Sequence, residues 1–200
     1  MSEYIKFSCE RVAAEITSFG GLAELNAYRR KLLDLRLIGV DPNGIGFGNL
    51  SVRDGATDKF YITGSATGGI RELALADCAK VVACDFERNR VRYKGPATPS
   101  SESLTHAAIY ASDAGAGAVI HCHDLKLWAT ALNQAPTTSK TAEYGTSELA
   151  NEIMELFTCT DVQSRKIVVM TGHEGGIVTF GKDLEEAFAV LMREREKIYR

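Results

Sequence analysis

The chain has 200 residues, 45% hydrophobic and 24% charged, with a formal net charge of −3. That balance suits a globular fold with a sizeable core and excludes a disordered or fibrous chain. No block of Lys and Arg stands anywhere, which speaks against nucleic acid as the main partner, because phosphate contacts need clustered cations. The apolar runs are too short for a membrane span, and "MSEYIKFSCERVAAEI" lacks the apolar stretch of a secretory signal. Cys9, Cys78, Cys84, Cys122 and Cys159 form no C-x-x-C pair. They read as reduced thiols, most of them small core residues, in a cytoplasmic protein.

Residues 3–19 and 22–38 are expected to form two helices. In the second, Leu22, Leu25, Tyr28, Leu32 and Leu33 recur at helical spacing, and Arg29, Arg30 and Lys31 fill the other face. "GVDPNGIGFGNLSVRDGATD" is turn and loop, with a short strand near Leu50–Arg53. Strands follow at Lys59–Thr63, Lys80–Cys84, Arg90–Tyr93 and Ala118–Cys122, with Glu87–Asn89 as a hairpin turn. A further pair is expected at Lys166–Thr171 and Gly176–Phe180. Helices are interleaved. One begins at "PSSESLTHAAIYAS", with Pro99 and Ser100 or Ser101 as cap signals, one spans Ser147–Phe157, and one spans Asp183–Tyr199 behind an Asp183/Glu186 capping box. The sum is one α/β domain over residues 1–200, a mostly antiparallel or mixed sheet covered by helices.

"VIHCHD" (residues 119–124) ends an apolar strand with His121 and His123 at i and i+2, hence on one face, and with Cys122 on the other. Two readings stand side by side: structural core histidines, or two ligands of a metal. His173, in "TGHEGG" at the end of another strand, is the candidate for the third donor that a catalytic zinc site needs. His106 lies in a helix one turn after Glu102 and reads as a local packing or bonding residue. At the start of that helix, Ser100 and Ser101 can cap it, bind an anion, or do both. Glu102 is either a plain N-terminal acid or a general base beside the metal. "GFGNLS" and "ITGSATGG" are two more Gly-rich turns where small residues let backbone amides approach an oxyanion.

In order and spacing, "GNLSVR", "YITGSATGG", "PSSESLTHAAIY", "VIHCHD" and "TGHEGGIVTFGKDLEEAF" resemble the class II aldolase/adducin family, home of L-fuculose-1-phosphate aldolase-like and L-ribulose-5-phosphate 4-epimerase-like enzymes. The resemblance runs from about residue 10 onward. It implies a three-layer α/β/α sandwich around a mixed, largely antiparallel sheet, assembled as a homotetramer. It implies Zn2+, or another divalent ion such as Mn2+, Co2+ or Fe2+, on His121, His123 and His173. It also implies Glu102 as the catalytic acid–base group and a substrate-phosphate site at Asn49, Ser65, Ser100 and Ser101. The implied reaction is cleavage of a small ketose phosphate through a metal-stabilised enediolate. Epimerisation or dehydration at the same metal, and a non-catalytic adducin-head-like interaction domain, are the alternatives.

Three departures mark the chain. The stretch Asn133–Leu149 is short, and neither Glu143 nor Tyr144 inherits a catalytic role from the resemblance. Tyr199 lies too close to a helix end to take the role of a C-terminal-tail tyrosine. The third-ligand motif reads H-E-G-G in place of H-G, and the anion turn reads Ser65-Ala66 where a hydroxyl residue followed by Gly is usual.

Overall fold

The computed structural model describes residues 5–199. In chain order the strands are β1 (Ser8–Arg11), β2 (Gly39–Val40), β3 (Gly46–Phe47), β4 (Asn49–Arg53), β5 (Phe60–Thr63), β6 (Cys78–Asp85), β7 (Arg90–Lys94), β8 (Ala118–His123), β9 (Ile167–Val169) and β10 (Gly176–Gly181). The helices are α1 (Leu22–Asp34), α2 (Ser103–Ser112), α3 (Leu125–Ala131), α4 (Ser147–Cys159), α5 (Val162–Arg165) and α6 (Leu184–Glu196). Eight strands make one sheet in the order β1-β7-β6-β5-β4-β8-β10-β9, and β2 and β3 pair separately. Only β1 on β7 runs parallel in the large sheet; the other neighbours are antiparallel.

The strand period of two sorts the side chains into two cores. On one face Phe60, Ile62, Val119, Val178 and Phe180 meet Leu104 and Ile109 of α2 and Leu149 and Ile153 of α4. On the other, Leu50, Ile120, Cys122 and Ile177 meet Leu25 and Leu32 of α1, Leu127 of α3 and Leu184 and Leu191 of α6. The molecule is therefore a three-layer α/β/α sandwich on a mixed, largely antiparallel sheet, as expected. Cys122 is fully buried on the face away from the histidines, as the alternation requires.

Five local expectations are corrected. The helix expected at 3–19 is absent over the described part: Ser8–Arg11 is an edge strand, and residues 3 and 4 lie outside the described residues. Pairing decides it, since Glu10 reaches Arg92 at 3.0 Å across the parallel ladder, and such non-local partners override weak helical periodicity. Arg29 is not on an exposed face of α1; it is fully buried. A helix unanticipated from the sequence, α3, starts directly after His123, because Asp124 caps it by accepting from Leu127 N–H at 3.0 Å. Finally, α2 takes Glu102 at its N-cap position with no side-chain cap, while Ser100 Oγ accepts from Glu102 N–H at 3.3 Å. The Asp183 cap of α6 is present at 2.8 Å, but Glu186 returns to Lys182 N–H at 2.7 Å rather than to Asp183.

Arg53 secures the far end of α2. Its guanidinium donates to Tyr110 O and Asp113 O at 2.7 Å each and to Ala116 O at 2.6 Å. It also stacks on the Tyr110 ring at 4.7 Å. Arg53→Met is expected to lower unfolding free energy by about 3 kcal/mol, since three carbonyls lose a charged donor. Urea unfolding checks this, and a loss below about 1 kcal/mol would show that water replaces the donor.

Candidate active site

Three adjacent strands set the site. β8 lies between β4 and β10, with His121 opposite Asn49 and His123 opposite Gly176. His121 and His123 share one sheet face. The turn between β9 and β10 returns His173 to the same point, closed by His173 N–H to Met170 O at 3.2 Å and Gly176 N–H to His173 O at 2.8 Å. The glycines of H-E-G-G are needed here. Gly175 has φ +78°, and a Cβ on Gly176 would fall 2.7 Å from the His173 ring.

One nitrogen from each of the three rings lies within 4.8 Å of the others, and Nε2 of His123 and His173 are 2.7 Å apart. A tetrahedral ion holding imidazoles at about 2.0 Å sets its nitrogens roughly 3.3 Å apart, so a small outward shift of two rings accommodates it. His121 Nδ1 lies 3.2 Å from Ile177 O; donation there leaves Nε2 as the lone-pair nitrogen. Burial holds His123 at about 4 and His173 at about 3, and drives His121 well below its ordinary value, helped by its two neighbours. Neutral imidazole is the metal-binding form. The donor set fits a divalent ion.

Glu102 is 2% exposed. Its Oε2 accepts from Thr105 Oγ1 at 2.6 Å, while Oε1 is buried without a hydrogen-bond partner, 3.9 Å from His173 Nδ1. Burial raises its pKa from 4.5 to about 7, against the opposing pull of Thr105 and Lys6. His106 is no part of the cluster. Its Nδ1 lies 2.6 Å from Ser51 Oγ, which lies 2.7 Å from Tyr110 OH, so it ties α2 to β4. That is a bonding role, as expected, but with a strand 55 positions away rather than within its own helix.

A cleft of about 970 Å³ opens over this cluster and is lined by all eight residues singled out in the sequence: Asn49, Ser65, Ser100, Ser101, Glu102, His121, His123 and His173. Asn49 Oδ1 is buried and unpartnered. The turn at Ser65 is tied to the strand-like segment before α2 by Ser65 N–H to Thr98 O at 2.8 Å. Thr67-Gly68, two residues beyond Ser65-Ala66, also lines the cleft and is the hydroxyl–glycine step that the turn lacks at Ser65.

Other residues in and beside the lining were given no site role from the sequence, Tyr144 and Tyr199 among them. The Tyr144 ring stands edge-on to His173 at 4.6 Å, under Lys6 Nζ at 4.0 Å, and Lys6 pairs with Glu143 at 2.7 Å. Asp124 accepts from Arg195 Nε at 2.7 Å and from Tyr199 OH at 2.8 Å, so the end of α6 forms one wall. Nothing local in "AEYG" or "REREKIY" announces these contacts, because each joins segments far apart in the chain.

The sequence model for the Class II Aldolase and Adducin N-terminal domain matches residues 41–196. The chain belongs to that family. Comparison with curated proteins finds no match. Among solved structures, this class II aldolase/adducin domain is similar to an L-fuculose 1-phosphate aldolase at TM-score 0.66 and 25% identity, over 90% of this chain and 84% of that one. It is similar to the L-fuculose-1-phosphate aldolase of Thermus thermophilus at TM-score 0.62 and 20% identity, over 88% and 89% of the two chains. A third likeness is to YgbL of Klebsiella pneumoniae, a candidate aldolase/epimerase/decarboxylase, at TM-score 0.64 and 17% identity, over 88% and 86%. The last two likenesses speak for the fold alone.

The Glu102 shift has a definite sign in metal-stripped protein. A raised folded-state pKa makes folding take up a proton between 4.5 and about 7. The stability it contributes is full below 4.5 and is lost as pH rises through about 7. Glu102→Gln removes that loss, so the variant is expected to gain roughly 3 kcal/mol on wild type between pH 4.5 and about 8. Urea unfolding in chelator across this range measures it. Parallel stability curves would mean that the carboxyl is not held protonated by burial.

Proposed function

We propose that this chain is a divalent-metal-dependent lyase of the class II aldolase type that cleaves a small ketose phosphate. The observation that carries the reading is the buried, unpartnered Oε1 of Glu102 beside the ring of His173, at the base of a cleft rimmed by hydroxyls and amides. His121, His123 and His173 would hold the ion, zinc or one of Mn2+, Co2+ and Fe2+. When bound, such an ion supplies a Lewis acid that stabilises negative charge developing on a carbonyl oxygen.

The remaining roles belong to the chain. Glu102, with a pKa near 7, can hold a proton or release one at neutral pH and moves it to or from the reacting carbon. Asn49, Ser65, Ser100 and Ser101 bind the phosphate. Binding energy spent there, away from the reacting bond, fixes the substrate's orientation. L-fuculose 1-phosphate heads the candidates because a similar structure bears that name. Residues 1–200 act as a single domain in this reading. Among the described residues no helix is long and apolar enough to cross a membrane. Five unpaired thiols support a reducing cytoplasmic setting. Leu35, Leu125 and Tyr199 are exposed at the cleft mouth, which supports cover by another copy in a homotetramer.

Epimerisation or dehydration over the same groups is the second enzymatic reading, favoured by the likeness to YgbL. An adducin-head-like interaction domain would not need the complete histidine triad that this chain keeps. A panel of ketose phosphates separates these readings, because cleavage releases a C3 or C2 carbonyl fragment. Glu102→Gln is expected to keep the metal and lose at least about 100-fold in turnover, and His123→Ala to lose the metal itself. Isomer or water loss as the sole product would replace the aldolase reading, and full activity in Glu102→Gln would remove its acid–base role.

A further inference from the structure

Arg29 is the largest fully buried side chain among the described residues, and none of the chemistry above uses it. It projects from α1 beneath the Gly-rich turn of the cleft. Its Nε donates to Ile70 O at 2.7 Å, and its Nη2 donates to Gly68 O at 3.0 Å and to Thr67 O. Nη1 is buried with no partner among the described residues. All its acceptors are neutral carbonyls. Asp77, whose charge it senses, uses its carboxylate to accept from Ala74 N–H at 2.8 Å. A guanidinium so placed costs several kcal/mol to bury unless something balances its charge.

The geometry points to what balances it. The peptide bonds of this turn are trans, and in a trans peptide the N–H opposes the preceding C=O. With Thr67 and Gly68 carbonyls turned down to Arg29, the N–H groups of Gly68 and Gly69 are turned the opposite way. Gly68 lines the cleft, beside Ser65, Ala66 and Thr67, and Ala66 adopts φ +61° to begin the reversal. Gly68 tolerates no side chain, since a Cβ there would fall 2.2 Å from Gly39 O. The phosphate groups proposed above, Asn49, Ser65, Ser100 and Ser101, are all uncharged. A dianion needs a positive field as well as donors, and a cation behind a row of aligned amides provides one in a low-dielectric wall.

We propose that Arg29 is a positioning residue for a phosphate monoester: it fixes the turn so that the amides of Gly68 and Gly69 face the ligand, and it balances the bound dianion from below. This rests on the phosphate site of the proposed function, and the test separates the two. Inorganic phosphate is titrated into the purified, metal-loaded protein by calorimetry, with hydrogen exchange followed at residues 65–70. In wild type, phosphate is expected to bind and to slow exchange at Gly68 and Gly69. Arg29→Lys, which keeps the charge but not the three-carbonyl clamp, is expected to weaken phosphate at least about tenfold; Arg29→Met is expected to abolish that protection. In both, metal content is unchanged, and KM for the phosphorylated substrate rises far more than kcat falls.

Wild type that binds no phosphate would overturn both the phosphate site and the role of Arg29, and binding without protection at these amides would overturn Arg29 alone. Wild-type protection that persists in Arg29→Met would overturn Arg29 alone. If Arg29→Met does not fold, the Lys variant decides, and unchanged phosphate affinity in it overturns the proposal.

Discussion

The antiparallel register of β4, β8 and β10 is the constraint on which the rest of the site depends. It sets His121 against Asn49 and His123 against Gly176. A slip of one residue would turn both histidines into the α1/α6 core and bring Cys122 out in their place. The register is strongly specified because both faces are buried: Val119 and Val178 fill one core, and Ile120, Cys122 and Ile177 fill the other. The metal-competent cluster is thus a by-product of two cores closing on one sheet.

On this frame, buried polar groups are kept from full satisfaction where the cleft lies. Glu102 Oε1 and Asn49 Oδ1 lack partners and line the opening, and Arg29 Nη1 lacks one behind the turn whose carbonyls hold the guanidinium. Away from the cleft Arg90 Nε, His106 Nε2, Thr138 Oγ1 and Thr179 Oγ1 lack partners too, whereas Arg53 meets four carbonyls and Asn26 exchanges both its amide groups with Leu73 at 2.9 and 3.0 Å. What sets Glu102 and Asn49 apart is that their unanswered atoms line the cleft, where a ligand can offset the free energy that each costs.

The parts of this arrangement visible in the sequence are those whose signal is local. Alternation in "AVIHCH", the turn glycines of "TGHEGG" and the Asp183 cap of α6 place three histidines and one helix without any knowledge of the fold. The burial of Arg29 was hidden because Arg29-Arg30-Lys31 looks like an ordinary solvated face, and only the carbonyls of residues 67, 68 and 70 reveal otherwise. The edge strand at Ser8–Arg11 depends on pairing with residues about eighty positions away, and the wall formed by Asp124, Arg195 and Tyr199 joins β8 to the end of α6. The Gly-rich turn lay between: its glycines are legible in the sequence, but that Thr67 and Gly68 line the cleft along with Ser65 depends on the backbone path.

The central claim is that three imidazoles on this register form one metal centre, and X-ray absorption on zinc-loaded protein tests it most directly. The account predicts three imidazole nitrogens at about 2.0 Å, completed by an oxygen donor and no sulfur. Zinc bound with fewer than three imidazoles, or with a sulfur neighbour, would contradict it.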